Sequence, residues 1–151
     1  MLEVRKATLK DKKEIISFQQ LMALETEDHV LDEKVLNDGV AAILTDASKG
    51  YYYIALQAGT VIGCLMITFE WSDWRNGNVW WIQSVFVKPS SRRQGVFTRM
   101  YEQIKREVLS RTDAIGIRLY VFRENHSAKQ VYNKIGMSGD RYEVFEWFRT
   151  V

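Results

Sequence analysis

The hydrophobic pattern changes period from strand to helix between Val79 and Tyr101. Val79 to Val87 reads VWWIQSVFV, rich in aromatic and β-branched residues, and predicts a strand. Pro89, the only proline, cannot donate to a sheet ladder and ends it. Ser90, Ser91, Arg92, Arg93 and Gln94 supply a polar turn. From Gly95 the apolar positions are Phe97, Met100, Tyr101, Ile104 and Val108, the 3.6-residue period of a helix with one face on a core.

The same reading places the other elements. Leu2 to Ala7 alternates as a first strand, and Thr8 with Asp11 resembles a capping box opening a helix. Ile15, Phe18, Leu21 and Met22 give that helix its apolar face. After the acidic residues Glu25, Glu27 and Asp28, Asp32 is the expected N-cap of a second helix. Its buried stripe is Leu36, Val40, Ile43 and Leu44, and it ends near Gly50. Tyr51 to Gln57 and Val61 to Phe69 form a hairpin about Ala58-Gly59, and Asn76-Gly77 signals another. Beyond the long helix, Ile115 to Phe122 predicts a strand. A short helix follows, capped by Asn125 or Ser127 and closed by Gly136. Val144, Phe145 and Trp147 to Val151 predict a last strand, paired with a shorter one near Met137.

Composition fits one domain over residues 1–151. The chain is 46% hydrophobic with no low-complexity stretch, enough to bury a core. A formal net charge of +2 is too small to argue for nucleic acid. The single Cys64 excludes an internal disulfide and sits in an apolar run, so a buried thiol is expected. Neither a signal peptide nor an apolar run long enough to span a membrane is evident, which predicts a cytoplasmic location. His29 and His126 lack metal-ligand spacing, and no metal is expected.

The chemistry concentrates at the period change. A helix N-terminus offers unpaired N–H groups and the positive end of a dipole, here beside two arginines. Gly95 lets a ligand approach the backbone. The combination predicts a phosphate site. Neither G-x-x-x-x-G-K-[ST] nor G-x-G-x-x-G is present. What Arg92-Arg93-Gln94-Gly95-Val96-Phe97 resembles is the [QR]-x-x-G-x-[GA] signature of the GNAT superfamily of N-acetyltransferases, with Phe97 in place of a small residue. Asn125-His126-Ser127-Ala128, Tyr132 and Gly136-Met137 are similar to the family's second motif, N-x-x-A-x-x-x-Y-x-x-x-G-[FM]. The predicted order β-α-α-β-β-β-α-β-α-β-β also matches.

The resemblance implies an α/β fold with a mixed, mostly antiparallel sheet, splayed between strands 4 and 5 to admit acetyl-CoA and flanked by helices. It implies that Val85, Phe86 and Val87 pair with the pantetheine arm and polarise the thioester carbonyl. The amides of Arg93, Gln94, Gly95, Val96, Phe97 and Thr98 would hold the pyrophosphate, with charge from Arg92 and Arg93. Asn125 and Ser127 would contact the pantetheine arm, or serve only as helix caps. Tyr132 would protonate the departing thiolate, or simply pack in the core. Some relatives carry a glutamate base on strand 4. Here the corresponding residue is Gln83, leaving Glu25 or Glu27, a water relay or a neutral acceptor.

The expected function is therefore acetyl transfer from acetyl-CoA to a small-molecule or peptidyl amine, with homodimerisation left open. The alternative is a catalytically silent acyl-CoA sensor on the same fold.

Overall fold

Two turns set the sheet. Ala58 and Gly59, both at positive φ (50° and 79°), make the two-residue hairpin between β2 (Tyr51–Gln57) and β3 (Thr60–Ser72). A second turn, closed by Asn76 at φ 50°, leads from β3 into β4 (Gly77–Val87), with Ser72 paired to Gly77. β3 and β4 thus run closer to the turn than the hydrophobic runs alone indicated. β1 (Leu2–Lys6) adds antiparallel to β2, and β5 (Ala114–Arg118) adds parallel to β4, giving the order β1-β2-β3-β4-β5.

The computed structural model describes residues 1–150, which form a unit Met1–Leu119 and a second unit from Tyr120 onward. In the first unit, α1 (Lys12–Glu27) and α2 (Glu33–Thr45) cover one face of the sheet. Ile15, Phe18, Val40 and Ile43 meet Tyr52, Ile54, Cys64 and Phe86 there. The alternate strand residues Tyr53, Leu65, Ile67, Trp80 and Ile82 are buried on the opposite face with Met100 and Ile104 of α3 (Val96–Ser110). The Tyr53 hydroxyl donates to Glu107 of α3 at 2.5 Å.

Several expectations need correction. In α1, Ile15 and Phe18 are buried and Met22 packs against the core as expected, but Leu21 is 48% exposed, while Gln19 and Ala23 are buried as well. α2 is capped by Asp32, whose Oδ1 accepts from the Val35 amide at 2.9 Å, but it stops at Thr45 rather than near Gly50. β5 stops at Arg118, short of Phe122. In the second unit, α4 (His126–Lys134) is the only regular element among the described residues. The expected strands near Met137 and from Val144 onward do not form within it. A strand exists by pairing, and that unit contains no ladder to join; Val151 lies outside the described residues. No helix among the described residues is long and apolar enough to cross a membrane.

Candidate functional site

β4 is paired along both edges for only part of its length. β5 accompanies it from Asn78 to Trp81, whereas Ile82 to Val87 has only β3 beside it in the sheet. Just past the divergence, register shifts between Met66↔Gln83 and Cys64↔Phe86, so Ser84 and Val85 together oppose Leu65. Ser84 adopts φ 52°, and a bulge of this kind bends its strand. The bend falls where the two strands part. Val85, Phe86 and Val87 therefore lie on an edge that β5 does not cover, with the Val87 carbonyl taken by Arg92 Nε.

At the end of this edge the chain folds into a turn that could receive an anion. Pro89–Ser91 form a single 3₁₀ turn, Arg93 is left-handed at φ 62° and Gly95 at φ 76°. Gly95 is the N-cap of α3 and has no side chain to cap it, so the first-turn amides from Val96 to Thr98 keep their donors. A Cβ built on Gly95 meets nothing within 4 Å, which leaves open space over the turn. The geometry fits a phosphate. Val96, not Phe97, occupies the core position of the first helical turn, being 4% exposed. The Phe97 ring is half-buried and stacks on Tyr101 at 6.3 Å. It has not turned into the core, yet its amide remains in the helix's first turn.

Arg92 is already engaged. Its Nε donates to the Val87 carbonyl at 2.8 Å, and Nη1 and Nη2 donate to the two carboxylate oxygens of Glu25 at 2.6 and 2.9 Å. The hydrogen bonds and charge of Arg92 hold the Glu25 carboxyl below the usual range. Glu25, expected as a candidate base, is thus held in an ion pair with Arg92.

The sheet face beneath α1 continues toward the hairpin as a polar strip. The Gln83 amide donates to Thr68 Oγ1 at 2.5 Å. Glu70 accepts from Trp81 Nε1 at 2.7 Å and from Arg118 Nη1 at 2.9 Å, and those bonds, the Trp81 one foremost, lower its carboxyl. Ser84, Thr68, Trp81 and Arg118 escaped the sequence reading. Their significance comes from register across three strands, which no local pattern encodes. Cys64 is fully buried, contacts Gln19 Nε2 at 3.6 Å, and burial pushes its thiol up to about 12.

In the second unit, Asn125 Oδ1 caps α4 by accepting from the Ala128 amide at 3.2 Å. Ser127 lies in the first turn of α4 and is exposed. The helix closes at Gly136 (φ 97°), with Met137 N–H donating to the Tyr132 carbonyl at 3.0 Å. Tyr132 is half-buried, and burial raises its phenol, keeping it in the proton-bearing form. Among the described residues no cluster of His, Cys, Asp or Glu could hold a metal.

The model of the Acetyltransferase (GNAT) family matches residues 16–137. The chain belongs to this family. Over 100% of its length it is similar to the crystal structure of a possible acetyltransferase from Clostridium difficile 630, at 39% identity, TM-score 0.91 and 99% of that chain. It also resembles a predicted acetyltransferase with acetyl-CoA from Clostridium acetobutylicum (24% identity, TM-score 0.74, 100% and 96% of the two chains). The fold is shared with AAC(6')-Iy in complex with a bisubstrate analog (16% identity, TM-score 0.79, 99% of each chain). No curated protein matches the sequence. Members of the family use acetyl-CoA, and this GNAT protein is an acetyltransferase by that membership.

Proposed function

We propose that the protein transfers an acetyl group from acetyl-CoA to a primary amine by direct attack, without a covalent enzyme intermediate. The observation that carries this reading is the edge of β4 from Ile82 to Val87, unaccompanied by β5 and running straight into the Gly95 turn. Acetyl-CoA supplies the activated acyl group. The backbone of Val85, Phe86 and Val87 aligns the pantetheine arm, and an N–H of that edge stabilises negative charge on the carbonyl oxygen. The amides from Arg93 to Thr98 receive the pyrophosphate, with Arg93 adding positive charge.

Tyr132 acts as the acid. It stands at the motif's phenol position, and burial, which raises its pKa, keeps the proton on the phenol for the leaving thiolate. Asn125 and Ser127, at the start of α4, serve the pantetheine arm. The acidic residues Glu27 and Asp28 at the end of α1 favour an amine over an anionic acceptor. The amine enters neutral, or passes its proton through water or to Glu27, since Gln83 is no base and Glu25 is held by Arg92.

The lack of a glutamate at Gln83 on β4 favours one rival, an acyl-CoA sensor without turnover. Thiol release from acetyl-CoA with polyamines, amino acids, aminoglycosides and peptides separates the two: CoA binding with no release from any amine supports the sensor. On a working amine, Tyr132→Phe is expected to lower kcat about 10²-fold, roughly 2.7 kcal/mol, with CoA affinity unchanged. Activity within about twofold of the parent would return Tyr132 to a packing role.

A further inference from the structure

One side chain joins the glycine turn to the end of α1. Arg92 directs Nε to the Val87 carbonyl, the last residue of β4, and both terminal nitrogens to Glu25, in the last turn of α1. Its guanidinium carbon lies 5.5 Å from the Phe86 ring centroid. A two-pronged fork onto a carboxylate fixes plane and direction, which a single contact or a lysine does not. The Arg92 backbone enters the turn that continues through Arg93 and Gly95, so whatever immobilises the turn immobilises the root of the fork. Beyond Glu25, α1 ends at Asp28, left-handed at φ 47°.

We infer that Arg92 is a positioning residue rather than a phosphate ligand: it transmits occupancy of the Gly95 turn to the end of α1 through Glu25. This rests on the reading of that turn as the CoA phosphate site. Both side chains are more than a third exposed (38% and 45%), so the pair contributes little to global stability. Its effect belongs to local opening of the α1 end. Coupling of this kind is reciprocal, and ordering α1 also orders the turn.

Hydrogen exchange of residues 21–31, with and without CoA, tests the link in the parent, in Arg92→Lys and in Glu25→Gln, with CoA affinity measured by calorimetry. In the parent, CoA is expected to slow exchange of this segment about fivefold or more. In both variants that slowing falls below about twofold, while CoA affinity stays within about threefold of the parent. A merely structural role would raise exchange equally in both states and leave the ratio intact, overturning the inference. A loss of CoA affinity of about tenfold in Arg92→Lys, absent from Glu25→Gln, would make Arg92 a phosphate ligand instead. Failure of the parent to bind CoA overturns the proposed site itself, whereas binding with an undiminished ratio in the variants overturns only the link.

Discussion

The two halves of β4 have similar composition and different pairing. From Asn78 to Trp81 the strand has neighbours on both sides, and Trp80 packs with Tyr51 and Phe69 at ring distances of 6.0 and 5.7 Å. From Ile82 to Val87 it keeps β3 alone and carries a bulge with Ser84 in the left-handed region. Apolar residues in both halves are buried against helices, so burial does not distinguish them. Pairing of the outer edge does. On the proposed reading, the ligand site arises because hydrogen bonds are withheld from one side of a strand that is otherwise secured.

If the halves are separable, damage to the first should cost stability and spare CoA binding. Trp80→Ala is expected to lose about 3–5 kcal/mol in urea unfolding, while the folded fraction binds CoA normally. A matching fall in CoA affinity would break the distinction. The second half should be sealed on its inner face although open at its edge. Cys64, opposite Phe86, reports on that seal. With its thiol pushed up to about 12 by burial, its thiolate fraction at pH 8 lies on the order of 10³ below that of a free cysteine. Labelling should be slower by at least that factor in the native protein than in urea. Rapid native labelling would mean that the second half opens through.

Gly95→Val sharpens the contrast at the end of the open half. The substitution places bulk over the turn and strains φ 76°, so CoA affinity is expected to fall about tenfold or more, some 1.4 kcal/mol. Gly95→Asn tolerates the left-handed backbone better, and loss of CoA affinity there without loss of stability assigns the effect to blocked space. The smallest effect is expected from Ser84→Gly. Relief of left-handed strain and the added chain entropy of glycine nearly cancel, leaving stability within about 0.5 kcal/mol. A larger loss would show that the Ser84 side chain helps to hold the bulge.

Much of this could be read from the sequence because its causes are local. Pro89 ends a strand, Gly95 opens a helix, and Ala58-Gly59 makes a hairpin through backbone preferences that act within a few residues. The motif around Gly95 carried the family for the same reason. What stayed hidden depends on distance along the chain. The Arg92–Glu25 fork joins residues 67 positions apart, and the Arg118–Glu70 pair joins residues 48 apart. The Ser84 bulge is a mismatch between two strands, so neither strand shows it alone. Phe97 misled because a 3.6-residue period fixes a face only to within a neighbouring position, and Val96 took the place on the core side.

The parallel β4–β5 pair sets the order in which the protein can be built. β2, β3 and β4 join through short turns and can zip as hairpins on a microsecond scale, since each closure spans few residues. β5 meets β4 only after the whole of α3 has crossed over, a much longer loop to close. A meander of antiparallel strands can therefore collapse while β4 still has a fully bare outer edge. Nothing marks off the cleft at that stage. The cofactor opening comes into being when β5 docks beside the first half of β4 and stops, which makes the functional boundary a late product of folding.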